Sequence, residues 1–256
     1  MGIRKGLHRF YLKSSGHEMA KERIQKVIAQ AGIMSRRKAE EAIAEGRVML
    51  NGVVVTEMGH TVDLSVDELK VDGALVAAKA TNDQRTFLFY KPREVLTTKS
   101  DDRGRKTVMD FFPEDQALNP VGRLDYDSEG LLLMTHDGDL LLKLTHPRYE
   151  VEKVYEVDVM AGATPPPVDF EKRLLTGVQL EDGNATFDRL EPIPASSKNP
   201  YVKGYRVVVS EGRNRFIRRM FSEMGLEVTR LKRVKMGEFE IGDLKPGEKK
   251  EVFPSK

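Results

Sequence analysis

Three carboxylates stand at alternate positions in GRLDYDSEGLLLMT: Asp125, Asp127 and Glu129, behind Arg123 and ahead of a solid apolar run. Acidic residues so spaced can coordinate a hard cation, supply a nucleophile or general base, or decorate a polar turn. The spacing is not that of an EF-hand, because Ser128-Glu129-Gly130 breaks the repeat. The five histidines (His8, His17, His60, His136, His146) form no HxxxH pair, and there is no cysteine. No metal site is therefore expected. Asp127 and Glu129 read as turn residues, with Asp127 or Ser128 capping the turn and Glu129 facing water. Asp125 is different. It lies between Leu124 and Tyr126 at the edge of the apolar run, where a carboxylate needs a partner. EGRNRFIRRM (residues 211–220) offers arginines for that pairing, which would keep Asp125 ionised and orient it as nucleophile or base.

A second cluster has the opposite sign. Ser35 is followed by Arg36, Arg37 and Lys38 at the expected start of a helix. Three cations there oppose the positive end of the helix dipole, while free backbone N–H groups beside arginines suit a phosphate. Arg23, Lys26 and Arg47 extend the patch, and a fold of this kind suits structured RNA better than a duplex groove. Further along, Arg213, Arg215, Arg219, Arg230, Lys232, Arg233 and Lys235 cannot all pair with Asp125, so most are expected to meet phosphates or water. Arg103 and Arg105, flanking Gly104, form a smaller basic loop with the same expectation.

The elements that must position these residues can be read from periodicity. Ile24, Val27, Ile28 and Ala31 recur at helical spacing, and Gly32 follows as a C-cap. Ser35 caps a second helix with Ala39, Ala42 and Ile43 on its inner face, ended by Gly46. Asn51-Gly52 and Asp72-Gly73 mark two hairpins. The polar stretch AAKATNDQRT reads as a linker over 77–86. Beyond it, FLFYKP opens a strand, LLLMT is a buried strand, and DGDLLLKLTHP is a turn and a short helix stopped before Pro147. KVYEVDVM, YRVVV and LEVTRLKRV read as strands. RFIRRMFSEMG is a helix with Ile217, Met220, Phe221 and Met224 on one face, ended by Gly225. Strands outnumber helices without regular βαβ spacing, which gives an α+β class with a mixed, mostly antiparallel sheet and flanking helices.

With the motifs assembled, KERIQKVIAQAGIMSRRKAEEAIAEGRVMLNG resembles the S4 domain, a small α/β RNA-binding module. GRLDYDSEGLLLMTHDG, FYKPREVLTT, THPRYEVEKVYEV, EGRNRFIRRMFSEMG and VTRLKRVKMGEFEIGDLKPGE together resemble the RsuA/RluB branch of the pseudouridine synthases, which carry an N-terminal S4 domain and modify ribosomal RNA. The resemblance implies an S4 domain over 19–76 and a catalytic domain over 87–256. It implies Asp125 as the catalytic aspartate, Tyr155 as the aromatic that stacks on the target uracil, Arg218 as the basic partner of the aspartate, and Arg123 as the arginine filling the space of the flipped base. It also implies chemistry without a cofactor. Relatives commonly carry Gln or Glu where this chain has Phe216, so no polar role is assigned there. HPRYEVEKVY is closer in wording to the large-subunit enzymes, which points to 23S rRNA or a large-subunit precursor as partner. A 16S rRNA synthase, a non-catalytic ribosome-assembly factor on the same fold, and a chelator-sensitive hydrolase are the alternatives.

Bulk composition adds exclusions. Hydrophobic residues make up 39% and charged residues 32%, with a net charge of only +2, so the clustering of charge and not its total points to a partner. The lack of cysteine excludes disulfides, thiolate metal sites and cysteine nucleophiles, and fits a reducing, cytoplasmic setting. No apolar run approaches the roughly 20 residues a membrane span needs. Residues 1–18 are basic and unpatterned; they read as a disordered extension, with Met19 as an alternative start. A monomer is expected.

Overall fold

A computed structural model of the chain describes residues 21–77 and 85–253. The expected extension over 1–18 and most of the expected linker over 77–86 lie outside these residues. The described residues fall into two compact units, divided between residues 82 and 83. Among them, no helix is long and apolar enough to cross a membrane.

In the first unit, α1 (Ile24–Gln30) packs on α2 (Arg36–Ala44). Ile24, Val27 and Ile28 bury against Ala39, Ala42 and Ile43, the faces set by helical spacing. Two hairpins follow. Strands β1 (Val48–Leu50) and β2 (Val53–Val55) turn at Asn51 and Gly52; β3 (Leu69–Val71) and β4 (Ala74–Leu75) turn at Asp72 and Gly73. Both turns have two successive positive φ angles (50° and 80°, then 49° and 79°), the twist that suits a two-residue hairpin. The sheet order is β2-β1-β3-β4.

The second unit is built on a nine-stranded sheet. Its main strands are β5 (Thr86–Lys91), β6 (Glu129–Thr135), β7 (Lys153–Ala161), β8 (Arg189–Ile193), β9 (Val202–Val209), β10 (Leu226–Met236) and β11 (Lys249–Val252). They lie in the order β8-β9-β7-β10-β6-β5-β11. Only β10 and β6 of this series run parallel. The class is α+β with a mixed, mostly antiparallel sheet, as the sequence indicated. Helix α3 (Gly138–Thr145) is capped by Asp137, and α4 (Phe170–Thr176) and α5 (Phe216–Glu223) follow. From α4, Phe170 and Leu174, and from α5, Ile217, Met220 and Phe221, join Val157, Val159 and Val207 of the sheet in the larger core; Leu144 of α3 joins Leu131 and Leu133 in a second one.

Strand β6 has a core on each face: Leu132 and Met134 enter the first, Leu131 and Leu133 the second. A strand buried on both sides reads as an unbroken apolar run and not as an alternation. At its start, Gly130 has φ +106°, and a Cβ there would come within 2.3 Å of the Arg233 carbonyl oxygen. Glycine therefore lets β6 close on β10, which brings the turn ahead of β6 beside α5 and β10.

Candidate active site

The turn 122–128 is tied down by main-chain contacts from the segment that follows β5. Thr97 Oγ1 donates to the Leu124 carbonyl (2.7 Å) and accepts from the Leu124 N–H (3.3 Å). The Glu94 N–H donates to the Tyr126 carbonyl (2.7 Å), and the Ser128 N–H closes the turn on the Asp125 carbonyl (3.1 Å). Beneath it, the fully buried Lys91 Nζ donates to the carbonyls of Pro92 and Ser128, both at 2.8 Å. Burial pushes the Lys91 ammonium down to about 8, with the charges of Asp125, Asp127 and Glu129 acting in the other direction. The sequence offered FYKPREVLTT only as a family motif; that Lys91 and Thr97 pin the Asp125 turn is a long-range fact, and no local pattern carries it.

Three of the expected residues, Asp125, Arg215 and Arg218, converge here, in a different pairing from the one expected. Arg218 was expected on Asp125; its Nη2 instead lies 3.2 Å from Asp127 Oδ2. The reason is where its guanidinium ends. Nη1 donates to the Val228 carbonyl (3.0 Å) and Nη2 to the Asp127 carbonyl (3.1 Å), which sets the group beside the Asp127 side chain. Burial lowers the pKa of Arg218 below the ordinary guanidinium value, against the charge of Asp127. Arg215, one turn earlier and half exposed, reaches both carboxylates: its two Nη atoms hydrogen-bond the Asp127 carboxylate at 3.3 Å, and Nη1 is 3.9 Å from Asp125 Oδ2. Asp127 is thus an arginine clamp and not merely a turn residue. Burial opposes its charge, yet the Arg215 hydrogen bonds and the Arg218 charge hold its carboxyl below the usual range. Among the described residues, the Asp125 carboxylate accepts no hydrogen bond and its one ion pair is the long contact to Arg215; the charges of Lys91 and Arg218 act on it from further away, and its side chain is 31% exposed.

Glu129, expected to face water, is buried. It accepts from Tyr90 Oη (2.8 Å) and from Arg230 Nε (2.7 Å). Burial, with Glu129 alongside, pushes the Tyr90 phenol up to about 12. The expectation failed because Glu129 is already the first residue of β6 and shares that strand's burial. Among the described residues, no group of three or more His, Cys, Asp or Glu side chains is placed to hold a metal ion.

Tyr155 lies on β7 opposite Arg233 of β10 and is 8% exposed, packed in the same core cluster as Leu124. Arg123 is exposed and forms no ion pair among the described residues. Phe216 is buried edge-on against Phe187, in keeping with its lack of a polar role. A cleft of about 710 Å³ opens beside Asp127, lined by Arg93, Arg215, Arg218, Ser222 and Thr229 among others. Asp125 and Tyr155 are not among its lining residues.

Most of the other cations of this unit were expected to meet phosphates or water, and several are instead engaged within the protein. Arg213 bonds Glu211 and Asp182, Arg219 bonds Asp182, and Lys235 bonds Glu240. Lys232 approaches Glu156 at 3.9 Å, and Arg105 pairs with Asp101. Arg233 is buried, donating to the Leu131 carbonyl (2.8 Å), with Nη2 buried and unpartnered. Arg103 remains exposed. In the first unit, Arg47 is held by Asp72 and Glu45, and Lys26 by Glu22. The Ser35 hydroxyl accepts from the Lys38 N–H and so serves as the cap of α2. Arg23, Arg36, Arg37 and Lys38 are exposed and form no ion pair among the described residues.

A profile of the RNA pseudouridylate synthase family matches residues 85–223, and one of the S4 domain matches residues 22–67. The chain is 43% identical over 234 residues to the ribosomal large subunit pseudouridine synthase B of Bacillus subtilis, an alignment covering 91% of this chain and 93% of that one. The protein of the same name in Pseudomonas aeruginosa is 42% identical over 226 residues, covering 86% of this chain and 56% of the relative. Among solved structures, a crystal structure of a pseudouridylate synthase superposes with a TM-score of 0.60 at 26% identity, covering 90% of this chain and 96% of that one.

Proposed function

The chain belongs to the RNA pseudouridylate synthase family, and from that premise we propose that it isomerises a uridine of large-subunit, 23S ribosomal RNA with Asp125 as the acting carboxylate. Three steps make up the reaction: the N1–C1′ bond breaks, the freed base turns, and a C5–C1′ bond forms while the C5 proton is lost and N1 gains one. Atoms and electrons balance with no redox partner. A carboxylate can attack C1′ or C6, or can act as the base that starts glycal formation. The observation that carries this reading is the state of Asp125: a partly exposed carboxylate, accepting no hydrogen bond among the described residues, on a turn pinned through the main chain of Leu124, Asp125, Tyr126 and Ser128.

The target base must leave its stack, and Tyr155 is the aromatic that replaces the lost stacking, worth roughly 1–3 kcal/mol per base. Arg123, exposed beside Asp125, fills the vacated space. Arg218 acts on the site through Asp127 and the turn. The arginine-lined cleft suits the RNA backbone, and the unpaired cations of α2 add a second phosphate-binding surface. The large-subunit assignment rests on the names of the relatives at 41–43% identity.

The test is pseudouridine formation in unmodified 23S and 16S transcripts, in EDTA, with Asp125→Asn alongside. Product in 23S from the unchanged enzyme, absent with Asp125→Asn while RNA binding persists, is the expected result. Product in 16S alone overturns the subunit assignment. Loss of RNA binding with Asp125→Asn would make Asp125 a structural residue, and full activity of that variant removes it from the chemistry.

A further inference from the structure

Resting on the reading that Asp125 acts on a flipped uridine, we infer that Tyr126 is a second stacking platform, which takes an unpaired base next to the target and so helps to select the RNA. The Ser128 N–H donates to the Asp125 carbonyl (3.1 Å), which makes 125–128 a β-turn with Tyr126 and Asp127 as its central residues. Asp127 is engaged by Arg215 and Arg218, whereas Tyr126 is left 45% exposed. Among the described residues, its ring has no aromatic neighbour and its hydroxyl no hydrogen bond. Tyr149, about as exposed, is instead covered by the Arg148 guanidinium, 4.5 Å from the ring centre. Yet the main chain of Tyr126 is fixed. Its carbonyl accepts from the Glu94 N–H, and Leu124 before it is held by Thr97. A ring already fixed in place loses little freedom when a ligand stacks on it.

The segment that fixes this turn also carries the basic loop. The Leu96 N–H donates to the Lys106 carbonyl and the Val108 N–H to the Leu96 carbonyl, both at 2.9 Å. Within the loop, the Asp101 carboxylate accepts from the backbone N–H groups of Arg103 and Arg105 and from the Arg105 guanidinium. The Arg103 side chain stays exposed, with no ion pair among the described residues. Arg105, held above the ordinary guanidinium value first by its hydrogen bond to Asp101, also lies within electrostatic reach of the Tyr126 phenol. On the other side of Asp125 stands the exposed Arg123. An open aromatic face among cations is the combination that binds single-stranded RNA, the cations meeting phosphates and the ring a base. Extruding the target uridine strips its neighbour of a stacking partner. Tyr126, next to Asp125 in the chain, is placed to supply the replacement. Every base has a π-face, so such a platform tells an unpaired neighbour from a paired one and not one base from another.

The experiment measures Kd for the fragment of unmodified 23S transcript that the unchanged protein protects from nuclease, with Tyr126→Phe, Tyr126→Leu and Tyr126→Ala alongside. Tyr126→Phe keeps the ring and should bind within about twofold of the unchanged protein. Tyr126→Leu and Tyr126→Ala should bind between about fivefold and a hundredfold more weakly, with KM rising alike and kcat at saturating RNA within about threefold. The fragment is then made abasic at one unpaired nucleotide at a time. At one position, loss of the base should weaken binding by the unchanged protein about fivefold or more and by Tyr126→Ala less than about twofold, since its partner is already gone. Affinities of Tyr126→Leu and Tyr126→Ala within about twofold of the unchanged protein overturn the inference. So does a Tyr126→Phe as weak as Tyr126→Leu, which would make the hydroxyl the contact, and so does an abasic series whose losses are the same in Tyr126→Ala. Asp125→Asn run in parallel separates the two claims: it should keep its Kd and lose product. If that variant is fully active, the reading of Asp125 falls, while the Tyr126 series still reports whether the ring binds RNA.

Discussion

Two helices in this chain begin among arginines, and they treat them in opposite ways. At the start of α2, Arg36, Arg37 and Lys38 are exposed and have no ion-pair partner among the described residues. Around the start of α5, Arg213, Arg215, Arg218 and Arg219 each reach at least one carboxylate, drawn from Asp125, Asp127, Asp182 and Glu211. Both segments read alike in sequence, as dense positive charge ahead of an amphipathic helix. They differ in what the rest of the fold brings near them. Unpaired cations present a field to a polyanion. Paired cations instead fix the position of their carboxylates, and in α5 those carboxylates include the two on the Asp125 turn.

The comparison breaks most easily at Arg218. Truncation to alanine leaves the Val228 and Asp127 carbonyls without their donor and removes one of the two cations on Asp127. Arg218→Ala should cost about 2–3 kcal/mol of folding stability, since the group is buried but its partner is partly solvated. Urea denaturation reads this directly. A loss below about 0.5 kcal/mol, the range of ordinary surface changes, would show that α5 carries its arginines as loosely as α2 does.

Lys91 sharpens the same contrast through pH. Its folded value of about 8 lies below the ordinary 10.5. Between those two values the unfolded chain holds the proton and the folded chain has released it, so stability contributed at this site rises with pH across that window, by at most about 1.4 kcal/mol per pH unit. Below the window, the cost of burying the charge is fully present. Melting curves of the unchanged protein and Lys91→Met, taken from pH 7.5 to 10, should therefore diverge in favour of the unchanged protein as pH rises. Parallel curves would mean that Lys91 is better solvated than its buried position implies.

A smaller effect is expected at Arg219, whose pair with Asp182 is partly exposed on both sides. Arg219→Ala should cost about 0.2–1 kcal/mol and lose even that at high salt. A salt-insensitive loss would place this arginine with the buried group of Arg218, and not with the solvated pairs.

What the sequence made legible follows the range of the interactions involved. The hairpins at Asn51-Gly52 and Asp72-Gly73, the Ser35 cap, and the faces of α1, α2 and α5 are set by residues within a few positions of one another, and each stands as read. The unbroken apolar run of β6 announced a strand buried on both faces. Asp125 stood out because its neighbours marked it as a carboxylate at the edge of a core. Which arginine meets which carboxylate was not legible, because the Asp127–Arg218 and Glu129–Arg230 pairs join residues 91 and 101 positions apart. The tie from Thr97 to Leu124 crosses 27 positions and the one from Lys91 to Ser128 crosses 37. Pairings of that range depend on the order and register of the strands, above all on β6 lying against β10 at Gly130.

The smallest expected effect on stability has the opposite sign, and it lies in α2. Arg37 sits in the first turn, where the helix dipole is positive, and no carboxylate among the described residues offsets it. Arg37→Ala should raise stability by about 0.3–1 kcal/mol, because it removes an unfavourable charge and breaks no contact. In the same protein, affinity for a structured RNA should fall, and the slope of log affinity against log salt should shrink by about 0.7, one phosphate contact fewer. The pairing of the two readouts is what matters. A cation that weakens its own helix and also binds nothing would leave the contrast with α5 without meaning. A cation whose removal stabilises the fold and weakens RNA binding shows that α2 keeps its charges unpaired for a partner outside the chain.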